Sequence, residues 1–279
     1  MELRHQFDLD ILLNCIQMAR STFYYYSKKV REQDKYQLTK VQINKIYNTH
    51  KGRFGYRRIT LQLKRDGMVI NHKTVLKLMR EMQLKSLVRI KKYRSYRGEL
   101  GRIAPNILNR NFKADEPDKK WATDVTEFNV KGKKLYLSPI IDLFNQEIIS
   151  YDLSDRPIFK GVMNMLKKAL PQAKDSSELI LHSDQGWQYQ MRNYRLLLKA
   201  NGITQSMSRK GNCLDNAIIE NFFGTLKSEL FYLTKYESTE QLKKDIADYI
   251  CYYNNERIKL NLNGMSPIEY RAHYNKSNN

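Results

Sequence analysis

The chain has 279 residues, 41% of them apolar and 28% charged, which is the composition of a folded globular protein and excludes wholesale disorder. Lys and Arg number 49 against 29 Asp and Glu, and a formal charge of +20 points to a polyanionic partner, nucleic acid before an anionic membrane surface. No apolar run is long enough for a spanning helix. Ile11-Leu12-Leu13, preceded by Asp8 and Asp10, makes no signal peptide. Cys15, Cys213 and Cys251 form no disulfide framework and no zinc knuckle, so the expectation is a cytoplasmic protein.

The charge is uneven. Residues 1–113 hold 26 Lys and Arg against 8 Asp and Glu, whereas residues 114–279 hold 23 against 21. A basic footprint therefore precedes a near-neutral body. In the footprint, Asp8 caps a stretch with Ile11, Leu12, Cys15 and Ile16 at helical spacing, and Ser21 caps a second helix from Thr22 to about Lys29. A further helix covers Val41 to Tyr47. Gly55 opens another, with Tyr56, Ile59 and Leu63 on one face, ended by Asp66-Gly67. Asn71 caps a third, with Val75, Leu78, Met79 and Met82 on its buried stripe and His72, Lys73, Lys77 and Arg80 opposite. A solvated basic face is the ordinary reading of one such helix. The charge of the whole region favours a helix-turn-helix unit whose Lys73, Lys77 and Arg80 meet DNA, with Arg57 and Arg58 adding phosphate contacts.

The body alternates strands and helices. Trp121 to Val130 reads as a strand, Lys131-Gly132-Lys133 as a hairpin turn, Leu135 to Leu143 and Ile148 to Leu153 as the next strands. A helix starting at Pro157 carries Phe159, Val162, Met163, Leu166 and Leu170. Leu179-Ile180-Leu181 is a buried strand, Met191 to Ala200 a helix, and Ile203 to Met207 a fifth strand. Asp215 caps a long helix reaching Leu230, and a last helix spans Thr239 to Asn254. The expected fold is α/β, a mixed five-stranded sheet with flanking helices behind a small all-α region. The expected partition is a helical segment 1–35, a helix-turn-helix segment 36–85, a basic linker 86–116 and a core 117–275.

Three carboxylates stand out. Asp124 falls in the first strand, Asp184 at the end of the Leu179–Leu181 strand, and Glu220 in the long helix, with Asn216, Gly224 and Lys227 on its own stripe. Taken singly, each has an ordinary reading: a buried ion pair, a turn residue, a solvated side chain. Together they make a cluster of acids that would repel unless a divalent cation neutralised them, and hard oxygen ligands suit Mg²⁺ or Mn²⁺. Asp142 reads as a structural neighbour of Asp124, Asp215 as a cap, His182 as a hydrogen-bonded core residue, Trp187 and Tyr189 as packing ahead of the alternative of stacking on a base, and Tyr249, Tyr252 and Tyr253 as packing.

Around these acids stand His-Ser-Asp-Gln-Gly (182–186), Ser-Met-Ser-Arg-Lys-Gly-Asn-Cys-Leu-Asp-Asn-Ala (206–217), Glu-Asn-Phe-Phe-Gly-Thr-Leu-Lys (220–227) and Asn-Gly-Met-Ser-Pro-Ile-Glu-Tyr-Arg (263–271). This series resembles the second-frame (OrfB) transposase of two-frame bacterial insertion sequences, which carries a retroviral-integrase-like catalytic core. The resemblance is strong over about 115–275, extends over about 40–100 as that family's helix-turn-helix segment, and is looser over 1–30. It implies a ribonuclease-H-like fold and DNA cleavage and strand transfer at the ends of a mobile element. It implies that Asp124, Asp184 and Glu220 are an acidic triad holding two Mg²⁺ or Mn²⁺ ions, and that Lys227 contacts DNA. The implied partners are double-stranded DNA (terminal inverted repeats and target), the first-frame protein as a frameshift fusion, and further copies of the chain on DNA. A nucleoid-associated location follows. The retroviral zinc module is not expected, because His5, His50 and His72 have no cysteine pair beside them. A DNA-binding regulator keeping the fold without the activity, or a nuclease using the same metal chemistry, are the rival readings; the basic helical region favours duplex DNA over RNA.

Overall fold

Helix α1 (Leu9–Cys15) starts where Asp8 Oδ1 accepts the backbone N–H of Asp10 at 2.9 Å. The computed structural model describes residues 6–31, 34–87, 104–109, 111–157, 159–173, 178–209 and 216–278, which fall in two units, Met1–Lys85 and Ser86–Asn279. In α1 the buried positions are Leu9 and Leu13, while Ile11 and Ile16, on the expected apolar stripe, are exposed. Helix α2 (Arg20–Arg31) begins before the expected Ser21 cap, because the Ala19 carbonyl already accepts from Phe23 N–H.

Helices α3 (Gln37–Thr49), α4 (Tyr56–Arg65) and α5 (His72–Glu81) enclose Ile43, Ile46, Phe54, Ile59, Leu63, Val75, Leu78 and Met79. The first of these is longer at both ends than apolar periodicity suggested. Lys40 in its first turn pairs with Asp34 at 2.7 Å and with Glu81, at the end of α5, at 3.0 Å. Helix α4 stops in a Schellman arrangement: Met68 N–H reaches the Leu63 carbonyl, Gly67 N–H reaches Lys64, and Gly67 takes φ +84°. Asn71 Oδ1 accepts from Lys73 N–H at 2.8 Å and caps α5 as expected.

In the second unit the expected first strand is two strands. β1 (Lys120–Thr123) and β2 (Thr126–Val130) are separated by Asp124-Val125. Both lie along the same edge of β3 (Lys133–Asp142): β2 pairs with Lys133–Leu137, β1 with Ile140–Asp142, and β4 (Ile148–Ser154) covers the other edge. The β2–β3 hairpin turns on Lys131 and Gly132, with φ 51° and 86°, and Asn129 Oδ1 accepts from Gly132 N–H. Beyond β1 the sheet continues in parallel with β5 (Ile180–Ser183) and β6 (Thr204–Met207). The sheet is therefore mixed and five positions wide, three antiparallel and two added in parallel through helices. This is the ribonuclease-H-like arrangement the motifs implied.

Alternation along the strands divides the core into two layers. On one face Trp121, Ile140, Leu181 and Met207 meet α6 (Phe159–Ala173) and α8 (Arg192–Ala200) through Met165, Leu166, Ala169, Tyr194 and Leu198. On the other, Ala122, Phe128, Leu137 and Ile141 meet α9 (Ala217–Glu229) and α10 (Thr239–Asn255) through Ile219, Phe222, Leu226, Leu242 and Ile246. Two helices were not expected, the single-turn α7 (Trp187–Gln190) and α11 (Pro267–Asn278). A reciprocal pair, Ser266 N–H to Glu269 Oε2 at 2.8 Å and Glu269 N–H to Ser266 Oγ at 3.3 Å, opens α11 with Pro267 in its first turn. Part of the expected basic linker lies along β6: Ile107 N–H donates to Ser206 Oγ at 3.0 Å, and Leu108 and Ala114 are buried. Residues 88–103 and 110 of that stretch, and Asp215, lie outside the described residues.

Candidate active site

The acids are placed by the strand ladder. Ala122 of β1 stands opposite His182 of β5, and the two strands run parallel. Two residues further on, Asp124 and Asp184 leave their strands at the same level, at the carboxyl ends where α/β sheets gather ligands. Asp124 is thus in a strand break, not in mid-strand: its Oδ1 accepts from the adjacent Val125 N–H at 2.7 Å, which interrupts the pairing. Asp184 Oδ1 accepts from Gly186 N–H at 2.8 Å, which fixes the turn into α7. Glu220 comes from the first turn of α9, whose Ile219, Phe222 and Phe223 are buried against the sheet.

The three carboxylates feel one another. Burial pushes Asp124 well above the usual carboxylate range, the charge of Asp184 pushes it further and Glu220 adds to this; the Val125 amide and Lys227 act in the opposite direction. Burial raises Asp184 against the Gly186 hydrogen bond, and burial followed by the Asp184 charge raises Glu220. Such a cluster of hard, partly uncompensated oxygen donors fits a divalent cation. Among the described residues no three His, Cys, Asp or Glu side chains are arranged to hold one ion together.

Lys227, two turns along α9, donates to Thr126 Oγ1 at 2.7 Å and lies 5.1 Å from the Phe128 ring centre, so it stands beside the strand break. Between Glu220 and Lys227, Gly224 is exposed, and a Cβ there would meet nothing within 4 Å. Asn216, one turn before Glu220, is buried, with both side-chain polar atoms unpartnered among the described residues.

Other candidates resolve differently. Asp142 is fully buried and structural. It accepts from Asp118 and Phe144 N–H groups and pairs with Arg271 at 2.5 Å, while burial lifts its carboxyl to about 7. Arg271, which also grips Asp118 and Glu147, drew no attention in the sequence beyond its place in the 263–271 motif. His182 is a core residue, its Nδ1 2.8 Å from Ser206 Oγ. Tyr189, Tyr249 and Tyr253 are buried, as expected of packing residues. Trp187 is not: 52% of it is exposed, because Tyr189 and Tyr194 fill the core slot edge to face at 5.5 Å. In the first unit, Arg57, Lys73, Lys77 and Arg80 are exposed, whereas Arg58 is half-buried, 5.6 Å from the Phe54 ring. Lys77 Nζ is 4.0 Å from Glu81. Among the described residues no helix is long and apolar enough to cross a membrane.

The Integrase core domain family matches residues 114–213 and 220–274, and the HTH-like domain family matches 33–92. The InsK protein of insertion sequence element IS150 from Escherichia coli K12 is 56% identical over 97% of this chain and 95% of its own length. The transposase for IS904 from Lactococcus lactis is 35% identical over 87% and 97%, and the transposase InsF for IS3A from Escherichia coli K12 is 31% identical over 96% of each. Among solved structures, the catalytic core domain of BIV integrase covers 58% of this chain and 98% of that one, at 17% identity and a TM-score of 0.43. The chain belongs to the insertion-sequence transposases that carry an integrase core. It is a protein of DNA transposition, joining a helix-turn-helix-like region to that core.

Proposed function

We propose that Asp124, Asp184 and Glu220 are the catalytic acids of DNA strand cleavage and strand transfer at insertion-sequence ends, and that they hold two Mg²⁺ or Mn²⁺ ions and no zinc. The observation that carries this reading is the delivery of two Asp from adjacent parallel strands at one level, with Glu220 close enough for its charge to reach Asp124. The ions, when bound, lower the pKa of the attacking hydroxyl and stabilise the departing 3′ oxygen in an in-line displacement at phosphorus. Water is the first nucleophile and breaks the phosphorus–oxygen bond at the element end. The freed 3′-hydroxyl is the second: its oxygen bonds to a target phosphorus as that phosphate's own P–O3′ bond breaks and a target 3′-hydroxyl leaves, so no protein–DNA covalent bond is needed. The Val125 and Gly186 amides hold the two Asp carboxylates in place for this. Lys227 faces the phosphate that Gly224 leaves room for.

One expected result concerns stability. Asp124→Asn keeps an acceptor for Val125 N–H and removes one charge from a buried cluster of like charges. In chelator the variant is expected to melt above the parent by about 2–8 °C, from ~1–2 kcal/mol of relieved repulsion. Added Mn²⁺ should raise the parent's melting temperature and leave the variant's nearly unchanged. Equal protection of both proteins by Mn²⁺ would sink the metal assignment.

The reading of the first unit is that α5 presents Lys73, Lys77 and Arg80 to duplex DNA, with Arg57 and Arg58 on the phosphates of the terminal inverted repeats. Replacing Lys73, Lys77 and Arg80 by Ala should reduce the slope of log affinity against log salt by about 3, roughly one per lost contact. An unchanged slope in a filter-binding titration would remove α5 from the interface. In this reading 1–35 is a short helix-turn-helix-like segment, 36–85 is the DNA-binding segment, 86–116 is a basic linker to the core 117–275, and the active species is a multimer on DNA, fused to the first-frame protein, at the bacterial nucleoid.

A further inference from the structure

The chain has two tryptophans, and they are treated differently. Trp121 is fully buried, its Nε1 donating to Asp118 Oδ1 at 3.0 Å. Trp187 is 52% exposed and forms one wall of an open groove. Tyr136, Ser138 and Ser154 line the same groove with Gln188, Arg156 and the apolar Val125 and Val162; the Ser154 hydroxyl donates to the Arg156 carbonyl. Arg156 is exposed and has no acidic partner among the described residues. An indole left in water beside a side-chain amide and an exposed guanidinium marks a ligand surface.

The groove adjoins the acids through the chain itself. Val125, which lines it, donates its N–H to Asp124, and Trp187 follows Gly186, whose N–H holds Asp184. A planar ring face, hydrogen-bonding edges and a neighbouring negative charge are what these walls would recognise. All three belong to a nucleotide lifted out of its stack.

We infer that this groove receives one unstacked nucleobase of the DNA strand being processed, with Trp187 stacking on the base and Arg156 on the adjoining phosphate. The inference rests on the proposed role of the acid site, since it places the base next to the phosphate to be cut. The base comes from the element end or from the target. Stacking accepts any base, so the groove positions the strand without reading its sequence.

The test uses the full chain in chelator, so that no strand is cut, and reads tryptophan fluorescence and the anisotropy of labelled DNA. One probe is a duplex carrying the element's end with unpaired nucleotides at the cut, and the other is an unrelated duplex with a central mismatch. At least one should quench the fluorescence, and which one identifies the source of the base. Trp187→Ala should abolish the quench and weaken binding of that probe about ten-fold, whereas Trp187→Phe, which keeps a ring, should stay within about three-fold of the parent. An abasic nucleotide at the unpaired position should cost the parent the same factor and cost Trp187→Ala nothing more. Independent, multiplying losses from the abasic site and from Trp187→Ala, or no quench with either probe, would overturn the inference. Quenching does not depend on Glu220 chemistry. A protein that quenches but does not join strands would contradict the acid-site reading alone, and one that joins strands without quenching would contradict this one alone.

Discussion

Glu220→Gln is expected to lower strand transfer by about a thousand-fold or more and to leave DNA affinity within about two-fold. The side chain keeps its length, and α9 keeps its hold on the sheet through Ile219, Phe222 and Phe223, which are all buried. The substitution removes a charge that burial and Asp184 already strain toward the protonated form, so the fold should be no less stable than the parent's. What is lost is a carboxylate oxygen where charge develops during the displacement. Cleavage and joining of labelled duplex measure the first quantity, and anisotropy measures the second. Retained transfer in the variant would remove Glu220 from the chemistry and leave Asp124 and Asp184 without their third acid.

Arg257→Ala is expected to have the largest effect on stability. Glu229, at the end of α9, is buried at 3% exposure and is met by Arg257 through two bonds, Nε to Oε2 at 2.9 Å and Nη2 to Oε1 at 2.7 Å. Tyr249 of α10 donates its hydroxyl to the same carboxylate at 2.8 Å. Removing the guanidinium leaves a buried carboxylate without its charged partner, at a cost of ~3–5 kcal/mol. For a unit of this size that corresponds to a loss of about 6–20 °C in melting temperature. Replacing both partners, Glu229→Leu with Arg257→Met, should recover most of the loss, because two apolar side chains need no partner. Thermal melts of the single and double variants decide the matter. A single variant as stable as the parent would show that the pair does not anchor the helix that carries Glu220.

Legibility from sequence followed the range of the interaction. Local signals were readable: the Asn71 cap, the Asp66-Gly67 stop, and the hairpin turn, which reads as Lys131-Gly132-Lys133 although Lys133 already belongs to β3. The place of Asp184 at a strand end was readable too, because a short apolar run stops three residues before it and β5 ends at Ser183. Asp124 was found for its residue type and misplaced in its element, since the strand break comes from a carboxylate taking its own neighbour's amide, which leaves no periodic trace. Helix α11 was overlooked although Ser266 and Glu269 spell its capping box. Pro267 is its only buried residue, so it carries no apolar stripe, and Arg271 holds it by ion pairs to residues more than a hundred positions away. Glu229 reads as a surface acid until Arg257 is brought beside it. Trp187 reads as core because an apolar residue type says nothing about which of two nearby aromatics, Trp187 or Tyr189, takes the slot.

The central claim is that the three acids carry out metal-dependent strand transfer, and 3′-end joining on labelled DNA bearing the element's own ends tests it most directly. The parent and Asp124→Asn would be run side by side, alone and fused to the first-frame protein, with Mg²⁺ or Mn²⁺ and with chelator. The account predicts joined products from the parent or its fusion only with the ions, and none from Asp124→Asn under any condition. Joining by Asp124→Asn, joining in chelator, or DNA binding with no cleavage even in the parent's fusion would contradict it.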